Sequence, residues 1–136
     1  MSVRVDVRYE GDLHCVAVHE PSGDRLPTDA PVDNQGQGRH FSPTDLVGTA
    51  LGTCMLTIMG LAAKARDIDL TGAHAVVHKE MGAEPVRHIA RLEVVITLPP
   101  GIEPRHHAIL EQAALTCPVH ASLGERTTID LKIVAG

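Results

Sequence analysis

Three cysteines and nine histidines are the side chains in this sequence best suited to chemistry. Cys54 sits in the middle of an uncharged run from Leu46 to Ala63. Cys117 stands directly before Pro118, and Cys15 lies in a short apolar stretch near the N-terminus. A thiolate attacks an electrophilic oxygen or a disulfide, and a second thiol can resolve the sulfenic acid that results. The attacking thiol needs a lowered pKa. Cys117 has a local source, the positive end of a short helix starting at Pro118. Cys54 has none: desolvation among apolar residues raises a thiol pKa. It needs a cation from elsewhere, and Arg39 is a candidate by position. Local physics therefore favours Cys117 as the thiolate. Cys15 reads as a small buried hydrophobe.

The histidines raise the question of a metal. Cys117-x-x-His120 supplies two ligands, whereas a structural zinc site takes four. His74 and His78 fall roughly 13 Å apart on a strand that rises about 3.3 Å per residue. His106 and His107 are adjacent on a helix and diverge. No metal and no other cofactor is expected. GxSxG, Walker and GxGxxG motifs are absent, and GTALG lies inside a helix, where it serves packing. Aromatic residues make up 1% of the chain and the net charge is −5. Base-stacking and phosphate-backbone binding are therefore not expected. An odd cysteine count and no apolar leader in residues 1–20 point to a cytoplasmic protein rather than a secreted disulfide scaffold.

Positioning these thiols falls to an α+β chain. Val3, Val5, Val7 and Tyr9 alternate with Arg4, Asp6 and Arg8, which predicts a half-buried strand. A turn at Glu10-Gly11-Asp12 leads to a second strand over Leu13 to His19. Residues 20–41, rich in Pro and Gly, read as loop with a short third strand near Arg25-Leu26. Arg39 and His40 end that loop. Ser42-Pro43-Thr44-Asp45 then starts a helix, with Ser42 as N-cap and Asp45 completing a capping box. The helix runs to about Arg66. It is long enough to span a membrane, but Gly and Thr dilute it and no aromatic belt flanks it, so a core helix buried on all sides is expected. Gly48 and Gly52 would admit a close backbone, and a chain this short would bury such a helix by dimerising. Strands follow at 73–80 and 87–98, then a helix from Pro104, a third helix over 119–123 and a last strand over 127–134. The order is βββ-α-ββ-α-α-β.

YEGDL (9–13), SPTDLVGTALGTC (42–54), CPVHASL (117–123) and the closing ERTTIDLKIV together resemble the OsmC/Ohr family of thiol-dependent peroxidases. The resemblance spans nearly the whole chain and implies one OsmC-like domain over 1–136. It implies two curved mixed sheets wrapping long central helices in an intertwined homodimer. It also implies that Cys54 attacks the peroxide and Cys117 resolves it as a Cys54–Cys117 disulfide, the reverse of the local preference. An organic hydroperoxide is the expected substrate and an external dithiol, of lipoyl or thioredoxin type, the expected reductant. Family peroxidases carry a glutamate directly after the helix-start proline; here Thr44 stands there and Asp45 follows. They also carry an arginine near the first hairpin turn, a role for which Arg39 is the candidate here. A non-enzymatic redox sensor or small-molecule-binding dimer is the alternative.

Overall fold

The computed structural model describes all residues, Met1–Gly136. The elements run β1 (Val5–Gly11), β2 (His14–His19), β3 (Arg25–Asp29), α1 (Pro43–Lys64), β4 (His74–Gly82), β5 (His88–Thr97), α2 (His107–Leu115), α3 (Pro118–Ser122) and β6 (Thr128–Val134). This is the order expected. The chain forms two compact units, Met1–Leu46 and Val47–Gly136.

The first unit is an antiparallel sheet in the order β1-β2-β3. The hairpin turns at Asp12 and Leu13, both with positive φ (53° and 59°). Two left-handed central residues are what a type I′ turn needs to match strand twist. β3 extends further than the short strand near Arg25-Leu26. Pro27 sits within it, which an edge strand tolerates because one side of its backbone has no ladder to complete. The alternation of β1 is present, but its apolar side is not half-buried: Val5, Val7 and Tyr9 are exposed. A single three-stranded sheet has no second layer of its own to cover that face.

The helix start is a reciprocal capping box. The Asp45 amide donates to Ser42 Oγ (3.0 Å), and the Ser42 amide donates to Asp45 Oδ2 (2.9 Å). Two amides that the first helical turn leaves without partners are thereby satisfied.

The second unit holds the mixed sheet β4-β5-β6. β4 and β5 are antiparallel, and β6 runs parallel to β5. The parallel pair needs a long connection, and α2 and α3 provide it. On β5, Leu92, Val94 and Ile96 alternate inward and are buried. They meet Leu51, Met55, Met59 and Ala63 of α1 and Leu110 and Ala114 of α2 in one apolar cluster. Aliphatic and thioether side chains fill this core without rings, as the composition requires.

α1 departs from expectation in two respects. Its buried positions are Gly48, Leu51, Gly52, Met55, Met59 and Ala63, one face only. By length and composition it could cross a membrane, yet that face packs into the core. Thr49, Thr53 and Thr57 are exposed. The Thr53 and Thr57 hydroxyls donate back to the carbonyls of Thr49 (2.9 Å) and Thr53 (2.8 Å). Threonines that satisfy themselves this way give an outer face that reads as apolar in sequence without being buried. The glycines, moreover, do not admit a backbone. A Cβ on Gly52 would lie 2.9 Å from Val77 Cγ2, and one on Gly48 3.4 Å from Leu92 Cδ2. They seat α1 on the side chains of β4 and β5.

Candidate functional site

Cys54 projects from the middle of α1, and Cys117 is the N-cap of α3. Both belong to the second unit, where Cys54 packs against the cluster that contains Cys117. The two thiols are close enough to interact. All three cysteines are free thiols. Cys117 is fully buried, and Cys54 is partly buried.

Why Cys117 sits there follows from its neighbours. Pro118 occupies the first turn of α3, so the residue before it is extended (φ −64°, ψ 144°). Its sulfur accepts the His120 amide at 3.3 Å. That amide is the helix-end stabilisation expected from the sequence, and it does pull the pKa down. It loses, however. Burial is the largest influence and pushes the Cys117 thiol up, and the nearby Cys54 thiol pushes the same way. The local preference for Cys117 as thiolate is thus overturned: the His120 and Val119 amides do not offset removal from water.

The other two expected site residues lie in the first unit. The Arg39 guanidinium pairs with Asp29, with Nε 3.2 Å from Oδ2 and Nη2 3.3 Å from Oδ1, while the Arg39 amide adds 3.0 Å to Oδ2. The Asp45 carboxylate caps α1 through Ser42.

Sequence reasoning missed the group around Asp29. This carboxylate is 1% exposed, and His14 Nδ1 lies 2.8 Å from its Oδ1. His40 stacks tilted beside His14, with ring centroids 5.7 Å apart. The bonds from Arg39 hold the Asp29 carboxyl far below the ordinary carboxylate range, with His14 adding to the effect against the opposing pull of burial. The only sequence signal was an aspartate closing a strand that Pro27 obscured. A surface groove bordered by Arg66, Asp69, Thr71, Ile102, Glu103 and Arg105 includes neither Cys54 nor Cys117.

Comparison with known proteins gives a consistent picture. The family described as OsmC-like protein matches residues 36–132. A crystal structure from Psychrobacter arcticus 273-4, provisionally described as an osmotic stress induced and detoxification response protein, is 42% identical. It superposes with a TM-score of 0.90 over 95% of this chain and 93% of that one. More distant structures share the fold. An organic hydroperoxide resistance protein OsmC from Legionella pneumophila is 14% identical, with a TM-score of 0.78 over 98% of this chain and 97% of that one. An organic hydroperoxide resistance protein from Elizabethkingia anophelis is 13% identical, with a TM-score of 0.80 over 100% and 97%. No curated protein matches the chain.

Proposed function

The chain belongs to the OsmC-like protein family, and from that premise we propose that it is a thiol-dependent peroxidase acting on organic hydroperoxides. The Cys54 thiolate attacks the distal peroxide oxygen. An S–O bond forms as the O–O bond breaks, and the departing alkoxide takes a proton to leave as the alcohol. The Cys117 thiol then attacks the Cys54 sulfenic acid, forming a disulfide and releasing water. An external dithiol, lipoyl or thioredoxin in type, returns both cysteines to thiols.

The observation that carries this proposal is the approach of two thiols far apart in sequence within one apolar core. The direction of attack is supported by the same surroundings. Cys117 is buried and holds its proton, which suits a resolving thiol. Cys54 is the more accessible of the two, and the apolar side chains about it favour an alkyl peroxide over hydrogen peroxide.

The proposal extends to the rest of the chain. Residues 1–136 act as a single domain in a cytoplasmic homodimer. The exposed apolar side of β1 and the uncharged outer face of α1 are surfaces such a dimer would cover. Arg39 and Asp45 carry catalytic roles in the same proposal, tested by Arg39→Ala and Asp45→Ala through kcat/KM.

Cumene hydroperoxide consumption with a dithiol reductant tests the central claim. Cys54→Ser should lower turnover on the order of a thousandfold or more, as loss of a nucleophile does. Cys117→Ser should leave a sulfenic acid on Cys54 that dimedone traps after one turnover. Equal, slow consumption by wild type and Cys54→Ser would sink the enzyme assignment. One observation favours a second function, a redox sensor: Arg39 is already engaged by Asp29. A sensor would form the Cys54–Cys117 disulfide stoichiometrically and show no multiple turnover.

A further inference from the structure

We propose that His14, Asp29 and His40 form a binding site for a divalent transition ion of borderline softness, zinc being the simplest case. The three side chains come from the start of β2, the end of β3 and the loop before α1. Their ligand atoms all lie within 4.8 Å of one another. No pair among them has a recognisable sequence spacing, which is why reading the histidines pairwise finds no site.

The donor set selects the ion. Two imidazoles and one carboxylate suit zinc and its neighbours, whereas magnesium and calcium prefer all-oxygen shells. Three protein ligands also leave a fourth position for water or an exchangeable ligand. Asp29 is buried, His14 half-buried and His40 exposed, so the site has a fixed anchor and an open side.

Outer partners are already in place. Arg39 grips Oδ2 of Asp29 through its amide (3.0 Å) and Nε (3.2 Å), which fixes the carboxylate plane. Oδ1 faces His14, with Nη2 of Arg39 at a longer 3.3 Å. On its far side, His14 Nε2 lies 3.5 Å from Glu10 Oε1. Metal-bound histidines commonly give their second ring N–H to a carboxylate in this way. The ion takes the place of the proton shared by His14 Nδ1 and Oδ1. Asp29 and Glu10 together offset the ion's charge beside the Arg39 cation. Binding would tie the loop before α1 to the β2-β3 edge.

The test uses the full chain with Cys15, Cys54 and Cys117 changed to serine, stripped with chelator and titrated calorimetrically with zinc chloride alone. One ion per chain is expected. His14→Ala and His40→Ala should each weaken binding about tenfold or more, the scale of losing a group that holds a metal site together. His74→Ala, an exposed histidine of β4, should not. His40 is exposed, so its removal does not threaten folding. The wild-type chain with cobalt(II) supplies a second readout: visible d–d absorption without a sulfur-to-metal charge-transfer band. The site is overturned if the thiol-free chain shows no saturable binding, if His40→Ala binds as wild type, if excess magnesium displaces zinc, or if the cobalt spectrum shows thiolate ligation.

Discussion

Asp29 and Cys117 are both almost wholly removed from water, at 1% and 0% exposure, yet their acidities move in opposite directions. Burial alone opposes the charged form of either group. Around Asp29 it is outweighed by a guanidinium, a histidine and a backbone amide aimed at one carboxylate. Around Cys117 the His120 and Val119 amides oppose it, the neighbouring Cys54 thiol adds to it, and burial prevails. The same contrast separates the two units. The buried polar side chains are Thr28, Asp29 and Ser42, all in the first unit; the buried core of the second is aliphatic residues, methionine and one thiol. A low-dielectric interior therefore does not decide protonation by itself. The donors facing the group, and above all whether one of them is charged, decide whether burial prevails.

The sharpest way to break this contrast is to exchange the groups. Cys117→Asp puts a carboxylate where no cation awaits it. Either the charge is buried unpaired or the carboxyl stays protonated, and at pH 7 holding a proton about three units above an ordinary aspartate pKa costs about 4 kcal/mol. Chemical denaturation should show a loss of that order. The loss should shrink towards pH 4, because the folded state then holds a proton that the unfolded chain also accepts. A pH-independent loss would show that shape, not charge, sets the cost.

Asp29→Asn removes the charge and keeps the size. It leaves the Arg39 guanidinium facing a neutral amide, and the melting temperature should fall by less than in Cys117→Asp. Its loss also shrinks towards acid, but in a lower pH window and because wild type falls rather than because the variant recovers. The folded-state pKa of Asp29 is depressed, so its stabilisation is present above the ordinary carboxylate pKa of about 3.9 and is lost as pH falls below it. Between the two pKa values the unfolded chain binds the extra proton. With chelator present, wild type should therefore lose stability below about pH 4 more steeply than Asp29→Asn. Parallel curves would remove Asp29 from the account.

Thiol reactivity sharpens the other half. In Cys54→Ser, where no disulfide can form, alkylation of Cys117 by a small neutral reagent should reach half its maximal rate above the ordinary thiol value of about 8.5. Burial is the leading cause of the rise, so it survives loss of Cys54. A midpoint below that value would restore the helix-end explanation drawn from Pro118.

Much of this was legible in the residues. Ser42 and Asp45 announced the capping box, alternation gave β1 and β6, and the two cysteine stretches led to the family. What stayed hidden depends on which segments face each other. His14, Asp29 and Arg39 lie on separate segments, and no local pattern links them. Pro27 disguised the strand that ends in Asp29. The uncharged run of α1 could not distinguish a helix buried all round from one whose threonines return their hydroxyls to the backbone. The N-terminal effect on Cys117 was visible in Pro118, whereas the burial that defeats it comes from the shared core cluster, which draws on α1, β5 and α2.

Ser42 is the mildest test of the same rule, because it is buried to 1% exposure but carries no charge. Its hydroxyl accepts from the Asp45 amide at 3.0 Å and lies 3.2 Å from Thr44 Oγ1. Ser42→Ala removes the acceptor and leaves that amide without its partner at the helix start, a loss of about 0.5–2 kcal/mol. Ser42→Gly keeps the extended backbone of a cap and lets water reach the amide, so its cost should be only a few tenths of a kcal/mol. Urea denaturation of both variants separates the contributions. If donors facing a buried group govern its energetics, alanine must be worse than glycine. The opposite order would mean that the backbone conformation at residue 42, rather than the hydroxyl, holds the start of α1.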